Sequence, residues 1–165
     1  MKIALASDHA GFEQLNDIAA YLESAGHEVK NFGPKSLNPD DDYPDFIIPA
    51  AESVASGECQ RGLVFGGSGQ GEAMVANKIK GIRCSLFYGP AVSRKVTDVT
   101  GRTSHDPYEV VRLSRTHNDS NMLSLAARFV ALEDMKQVIK LWLETPFREE
   151  ARHQRRIGKI NGLGS

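Results

Sequence analysis

Four glycines fall within six residues, Gly66-Gly67-Ser68-Gly69-Gln70-Gly71, and a carboxylate, Glu72, follows directly. Glycine-rich backbone between a strand and a helix can turn several N–H groups toward one point, which suits an anion. A tight strand-to-helix turn also uses glycine, but four exceed its need, so the composition favours an anion cradle. The run is not a dinucleotide fingerprint: Gly67 and Gly69 supply G-x-G, but Glu72 stands where the third glycine belongs. It is not a P-loop either, since no Gly-Lys-Ser/Thr follows. A carboxylate beside an anion hole repels a bound phosphate. It suits a base whose neighbouring donors stabilise the oxyanion left by proton removal. A glutamate at a helix start, favoured by the macrodipole, reads equally well from local sequence.

Other chemistry-bearing residues are Asp8 and His9 near the N-terminus, the run His117-Asn118-Asp119, and a basic segment, Arg152-His153-Gln154-Arg155-Arg156. Taken alone, Asp8 and His9 read as an Asx turn with a surface histidine, and His117 as the end of a helix followed by a turn. Arg152 and Arg156 are four apart and share a helical face. They fit a solvated tail paired with Glu149 and Glu150, or a clamp for phosphate. The clamp agrees better with an anion-binding loop. His27 and His105 are most simply structural. Cys59 and Cys84 form no CxxC pair and have no zinc spacing, which implies reduced thiols and no metal site.

The elements that must position these residues follow from periodicity. Apolar runs predict strands at 2–6, 27–32, 62–65, 82–88 and 122–125. Helical spacing predicts helices at 12–25, 45–56, 72–78, 107–116, 132–144 and 148–160. Gly26 sits at a helix C-terminus, and the proline- and aspartate-rich stretch 33–44 is a loop. Strands alternating with helices predict an α/β domain with a parallel sheet and helices on both faces. In such sheets ligands bind beyond the carboxyl ends of the strands. The segments after the strands, Ser7 to Gly11, Gly66 to Glu72, the loop after Tyr88 and Ala126 to Arg128, are therefore expected on one edge.

Bulk properties narrow the class. A chain of 165 residues fits a single domain, 1–165, large enough to bury a core without disulfides or a structural metal. With 20 basic and 21 acidic residues the net charge is −1, which argues against a nucleic-acid binder. The basic segment near the C-terminus lacks a recognition fold or aromatic platforms. No run reaches the roughly 20 apolar residues of a membrane span, and the N-terminal run is too short for a signal peptide. A cytoplasmic protein is expected.

Together these pieces resemble the type B ribose-5-phosphate isomerases and the related galactose-6-phosphate and allose-6-phosphate isomerases. The matching segments are Ser7-Asp8-His9-Ala10-Gly11, Asp42-Tyr43-Pro44-Asp45-Phe46, the Gly66–Gly71 loop, Ala76-Asn77-Lys78 with Gly81-Ile82-Arg83, His117-Asn118-Asp119 with Asn121, and Arg152 to Arg156. They occur in family order and cover nearly the whole chain. The resemblance implies a Rossmann-like three-layer α/β/α sandwich on a five-stranded parallel sheet, without a dinucleotide or other cofactor. It implies a homodimer or homotetramer with shared active sites, and metal-independent aldose–ketose isomerisation of a phosphorylated sugar through a cis-enediolate. Ribose 5-phosphate is the default substrate, and a six-carbon or four-carbon sugar phosphate the alternative. Glu72, His117, Ser68, Gly67, Gly69 and Gly71 would take catalytic places. Asp8, Tyr43, Gln70 and Asn118 would bind the sugar, and His9, Arg128, Arg152 and Arg156 its phosphate.

Two departures stand out. Many members carry a catalytic cysteine at the start of the glycine loop, where this chain has Gly66. A second subgroup has instead a glutamate just after the loop, which Glu72 matches, and this favours the base over the helix-start reading. The stretch between Phe87 and His117 is also longer than usual in the family. Its insertion, near 89–106, is polar and contains Gly89 and Gly101, so a mobile loop is expected, forming a lid or rim next to the sugar or extending the dimer contact. The C-terminal arm, 147–165, carries the arginines. A non-catalytic sugar-phosphate sensor would not need Glu72, His117 and the glycine loop together.

Overall fold

Ile3 and Leu5 point to one side of the first strand and Ala4 and Ala6 to the other, and all four are fully buried. A strand buried on both sides belongs to a parallel sheet covered by helices on both faces. The computed structural model, which describes residues 1–163, has that architecture. Its strands are β1 Lys2–Ser7, β2 Glu28–Asn31, β3 Arg61–Gly66, β4 Cys84–Phe87 and β5 Met122–Ala126. Its helices are α1 Phe12–Ser24, α2 Pro44–Ala55, α3 Gln70–Ala76, α4 Glu109–Asn118, α5 Leu132–Glu144 and α6 Ala151–Asn161, with a short 3₁₀ turn at His9–Gly11. The sheet is parallel throughout and runs β2-β1-β3-β5-β4.

The odd-numbered side of β1 joins Leu63, Phe65, Leu123 and Leu125 in a core closed by α1, α4 and α5, with Trp142 at its base. The indole N–H of Trp142 donates to Ser120 Oγ at 2.8 Å, so its one polar atom is satisfied inside. The other face packs Ala4, Ala6 and Val64 against Ile47, Ala50, Ala51 and Val54 of α2 and Ala76 of α3. Alanines on both sides of this second layer let the helix approach the sheet closely. The layers are those of the expected three-layer sandwich.

Some boundaries differ from the periodicity. α3 begins at Gln70, because Gly69 takes a left-handed conformation (φ 72°) and turns the chain two residues earlier. Glu72 therefore lies within the first helical turn. α6 begins at Ala151; upstream of it the Arg148 N–H donates to the Thr116 carbonyl at 3.3 Å and ties the chain to α4. The last two residues of the 147–165 arm lie outside the described residues. No helix among the described residues is long and apolar enough to cross a membrane.

The insertion is a loop, but it is tied down. The Ala91 N–H donates to the Pro107 carbonyl at 2.8 Å, so its ends meet. Within it the Thr97 N–H reaches the Arg102 carbonyl at 2.6 Å. Asp98 accepts from the Thr100 N–H at 2.8 Å and from Arg102 Nε at 3.3 Å. Arg102 also pairs with the buried Glu109 of α4, which accepts in turn from Ser104 Oγ at 3.1 Å.

Candidate active site

Register alone assembles the first half of the site. Ser7 lies beside Phe65, Gly66 beside Ala126 and Phe87 beside Leu125, so the carboxyl ends of four strands share one edge. Asp8 follows β1, is buried, and caps the 3₁₀ turn by accepting the Ala10 N–H at 2.9 Å. His9 is held by Asp41. One carboxylate oxygen accepts both the His9 backbone N–H at 3.1 Å and the ring Nδ1–H at 2.7 Å, leaving Nε2 for a ligand. The other Asp41 oxygen is buried without a hydrogen-bond partner among the described residues. Asp8, His9 and Asp41 bring three ligand-type atoms within 4.8 Å of one another, and the His9–Asp41 hydrogen bond is the interaction this geometry satisfies.

The glycines admit what lies against them. A Cβ on Gly71 would sit 2.8 Å from Cζ of Tyr43 and 2.9 Å from its hydroxyl, so Tyr43 lies across the loop. Arg128 leans on Gly67, with Nη1 3.4 Å from where a Cβ would stand, while its N–H donates to the Gly67 carbonyl at 3.2 Å. Ser124 Oγ donates to the Gly69 carbonyl at 2.7 Å and pins the left-handed residue. Ser68 Oγ accepts a long bond, 3.4 Å, from the Gln70 N–H, and the Gln70 side chain is exposed. The N–H groups of Gln70, Gly71 and Glu72 open α3 and have no acceptor within the helix.

Glu72 is the unusual member. It is only 4% exposed, and a Cβ on Gly66 would collide with its carboxyl carbon and both oxygens. The absent side chain at 66 is the space its carboxylate occupies. Burial pushes the Glu72 pKa up, nearby Asp8 adds to the rise, and its own backbone N–H partly opposes it. Cys84, a free thiol, is pushed up to about 12 by burial and is no thiolate near neutral pH.

The second half lies elsewhere. His117 and the exposed Asn118 end α4, just before β5 begins, whereas Gly66 pairs with the last residue of β5. The two groups are thus separated by roughly the length of β5, about 13 Å. The turn is fixed by residues to which sequence reasoning assigned no role. Asp119 takes a left-handed conformation (φ 43°). Arg83 donates to the Asn118 carbonyl at 3.0 Å and to the Asp119 carbonyl and carboxylate at 2.8 and 3.0 Å. The buried Arg115 donates to the other Asp119 oxygen at 2.7 Å. His117 stacks on His153 with ring centroids 4.2 Å apart. Burial lowers the His117 pKa, with His153 and Arg152 adding to the fall and Asp98 and Glu150 opposing it. Arg152 pairs with Glu150 at 2.8 Å; Arg156 is exposed. His117, Arg152 and Arg156 line a cavity of about 410 Å³ together with Val96–Val99 of the insertion.

One chain therefore gathers Asp8, His9, Tyr43, the glycine loop, Glu72 and Arg128 at one edge, and His117, Asn118, Arg152 and Arg156 at the other. A different cavity, between α1 and α5, is lined by Tyr21, His27 and Lys140 and holds none of these residues. Asp41 could have been suspected from the Asp40-Asp41-Asp42 run, but only the loop's path shows which aspartate meets His9.

Comparison with known proteins agrees with these observations. The sequence matches the family described as Ribose/Galactose Isomerase over residues 3–95 and 90–160, two stretches that overlap at 90–95. A Bacillus subtilis protein, YwlF, provisionally named a sugar phosphate isomerase, is 37% identical over 161 residues, covering 98% of this chain and 95% of its own. The structure of Clostridium thermocellum ribose-5-phosphate isomerase B superposes with a TM-score of 0.84 at 37% identity, over 99% of this chain and 97% of that one. That of Mycoplasma genitalium ribose-5-phosphate isomerase B, with bound ribulose-5-phosphate, gives 0.82 at 30% identity, over 97% and 93%.

Proposed function

The chain belongs to the ribose/galactose isomerase family and is an aldose–ketose isomerase of sugar phosphates, and from that premise we propose that it interconverts ribose 5-phosphate and ribulose 5-phosphate in the cytoplasm without a metal. The observation that carries the mechanism is the Glu72 carboxylate lodged against Gly66. In the resembling family many members place a catalytic cysteine at that point; here a glutamate reaches the same space from the following helix. Glu72 takes the proton from C2 of the open-chain aldose, and the electron pair moves to the carbonyl oxygen as the cis-enediolate forms. The hydroxyl proton passes from O2 to O1, and Glu72 returns a proton to C1, which gives the ketose. N–H groups at the start of α3 and in the glycine loop, with Ser68 beside them, face the enediolate oxygens. Asp8, Tyr43 and Gln70 orient the hydroxyls.

His117 and Asn118, with Arg152 and Arg156, come from a second copy of the chain. The two edges of one subunit are too far apart to share one sugar phosphate, so a homodimer, or a homotetramer built as a dimer of dimers, completes each site. His117, with its lowered pKa, is a neutral imidazole near neutral pH and can relay a proton in ring opening. His9 and Arg128 meet the phosphate from the subunit that supplies Glu72, and Arg152 and Arg156 from the other.

The test is a panel of four-, five- and six-carbon aldose and ketose phosphates, assayed for interconversion without added metal. Ribose 5-phosphate should show the highest kcat/KM. No interconversion of any member would overturn the reading. Asp41 gives a second check. A charged hydrogen bond contributes about 1.5–3 kcal/mol, so Asp41→Ala should raise KM about tenfold or more by releasing His9, with kcat little changed. Asp41→Asn keeps an acceptor oxygen and should recover part of the loss. Falls in kcat in both variants with KM unmoved would mean that Asp41 holds the loop and not the ligand.

A further inference from the structure

Residues 88–108 form a long connection between β4 and α4. It leaves the sheet at the carboxyl end of β4, and Val92 and Val96 then face Val110 and Leu113 of α4 across a cavity of about 320 Å³. Its middle reaches the far edge of the domain, where Val96–Val99 face His117, Arg152 and Arg156 across one cavity. Surface loops added to a fold are usually free to move. This one is bolted by the Asp98–Arg102–Glu109 chain of ion pairs and closed at its base by the Ala91–Pro107 hydrogen bond.

Resting on the isomerase reading above, we propose that residues 96–99 form a fixed wall of the sugar-phosphate site and discriminate against six-carbon substrates. The phosphate is pinned by Arg152 and Arg156, and the carbonyl end by Glu72 of the partner chain. The carbons between must fit a fixed span, and each added carbon has to bulge sideways. The methyl groups of Val96, Thr97 and Val99 stand beside the phosphate end and remove that room. The wall discriminates because its backbone is held independently of the ligand.

The test uses alditol phosphates, which bind but cannot isomerise. Ribitol 5-phosphate and sorbitol 6-phosphate are titrated calorimetrically into the wild-type protein and three variants. The wild type should prefer the five-carbon ligand by about tenfold or more, the range one extra carbon commands in a fitted pocket. Val99→Ala should narrow that preference and Val99→Phe should widen it. Val99 is 78% exposed, so neither change burdens folding. Excising 92–106 and joining Ala91 to Pro107 through glycine should nearly abolish the preference. Equal preference in the wild type, Val99→Ala and Val99→Phe, or no binding of either ligand, would overturn the wall. A wild type that discriminates between the ligands yet isomerises no sugar phosphate would sink the isomerase reading and leave the wall standing.

Discussion

Glu72→Gln is expected to lower kcat by roughly 10²–10⁴-fold while KM changes far less. Glutamine keeps the size of the side chain and part of its hydrogen bonding, but it cannot carry a proton from one carbon to the next. The loss should appear directly as slowed deuterium exchange from solvent into the substrate. Exchange at the wild-type rate in the variant would assign the base elsewhere. The wild-type pH profile should carry the same signature. Burial and Asp8 hold Glu72 protonated to higher pH than a free carboxylate. The base form therefore appears only as pH rises through that elevated pKa, and the acid limb of kcat lies above the ordinary carboxylate range. Cys84→Ser should leave turnover nearly intact, since a thiol pushed up to about 12 supplies no thiolate at neutral pH.

Two inactive variants should restore each other. His117→Ala and Glu72→Gln disable opposite halves of the site, and each alone should leave little activity. In a mixed dimer one site receives both damaged halves and the other receives both intact ones. Random pairing of equal amounts makes half the dimers mixed, so about a quarter of wild-type activity should return. Co-expression with two affinity tags isolates the mixed dimer for assay. A mixed dimer with no more activity than its parents would mean that His117 and Glu72 do not meet across an interface.

Local chemistry in the sequence accounts for much of the fold. Apolar alternation in β1, the periodic faces of α1 and α5, and the glycine loop before α3 each specify their element through neighbours a few residues away. The long-range parts were not legible. Nothing near His117 says that α4 ends at the edge opposite Gly66; that follows from the direction of β5. Nothing in the sequence brings Arg83 and Arg115 together; the left-handed Asp119 between them does so in the fold. Local sequence left Glu72 open between a base and a helix-start glutamate, and the subgroup resemblance favoured the base; its fit against Gly66 depends on α3 starting two residues early. The insertion was legible as a loop and not as a braced one, because its braces pair Asp98 with Arg102 and Arg102 with Glu109.

The strand order β2-β1-β3-β5-β4 has a consequence for the nascent chain. During synthesis β1, β2 and β3 can pair as soon as they emerge. β4 cannot, because its only neighbour is β5, which follows it after the insertion and α4. Until Ala126 leaves the ribosome, β3 presents an open, apolar edge and β4 has nowhere to dock. Lengthening the crossover between them adds little to the equilibrium cost of closing the loop, which grows only logarithmically with length. It does prolong the interval in which an unpaired edge is exposed, by the time needed to translate the added residues. This is the interval in which edge-to-edge association competes with folding.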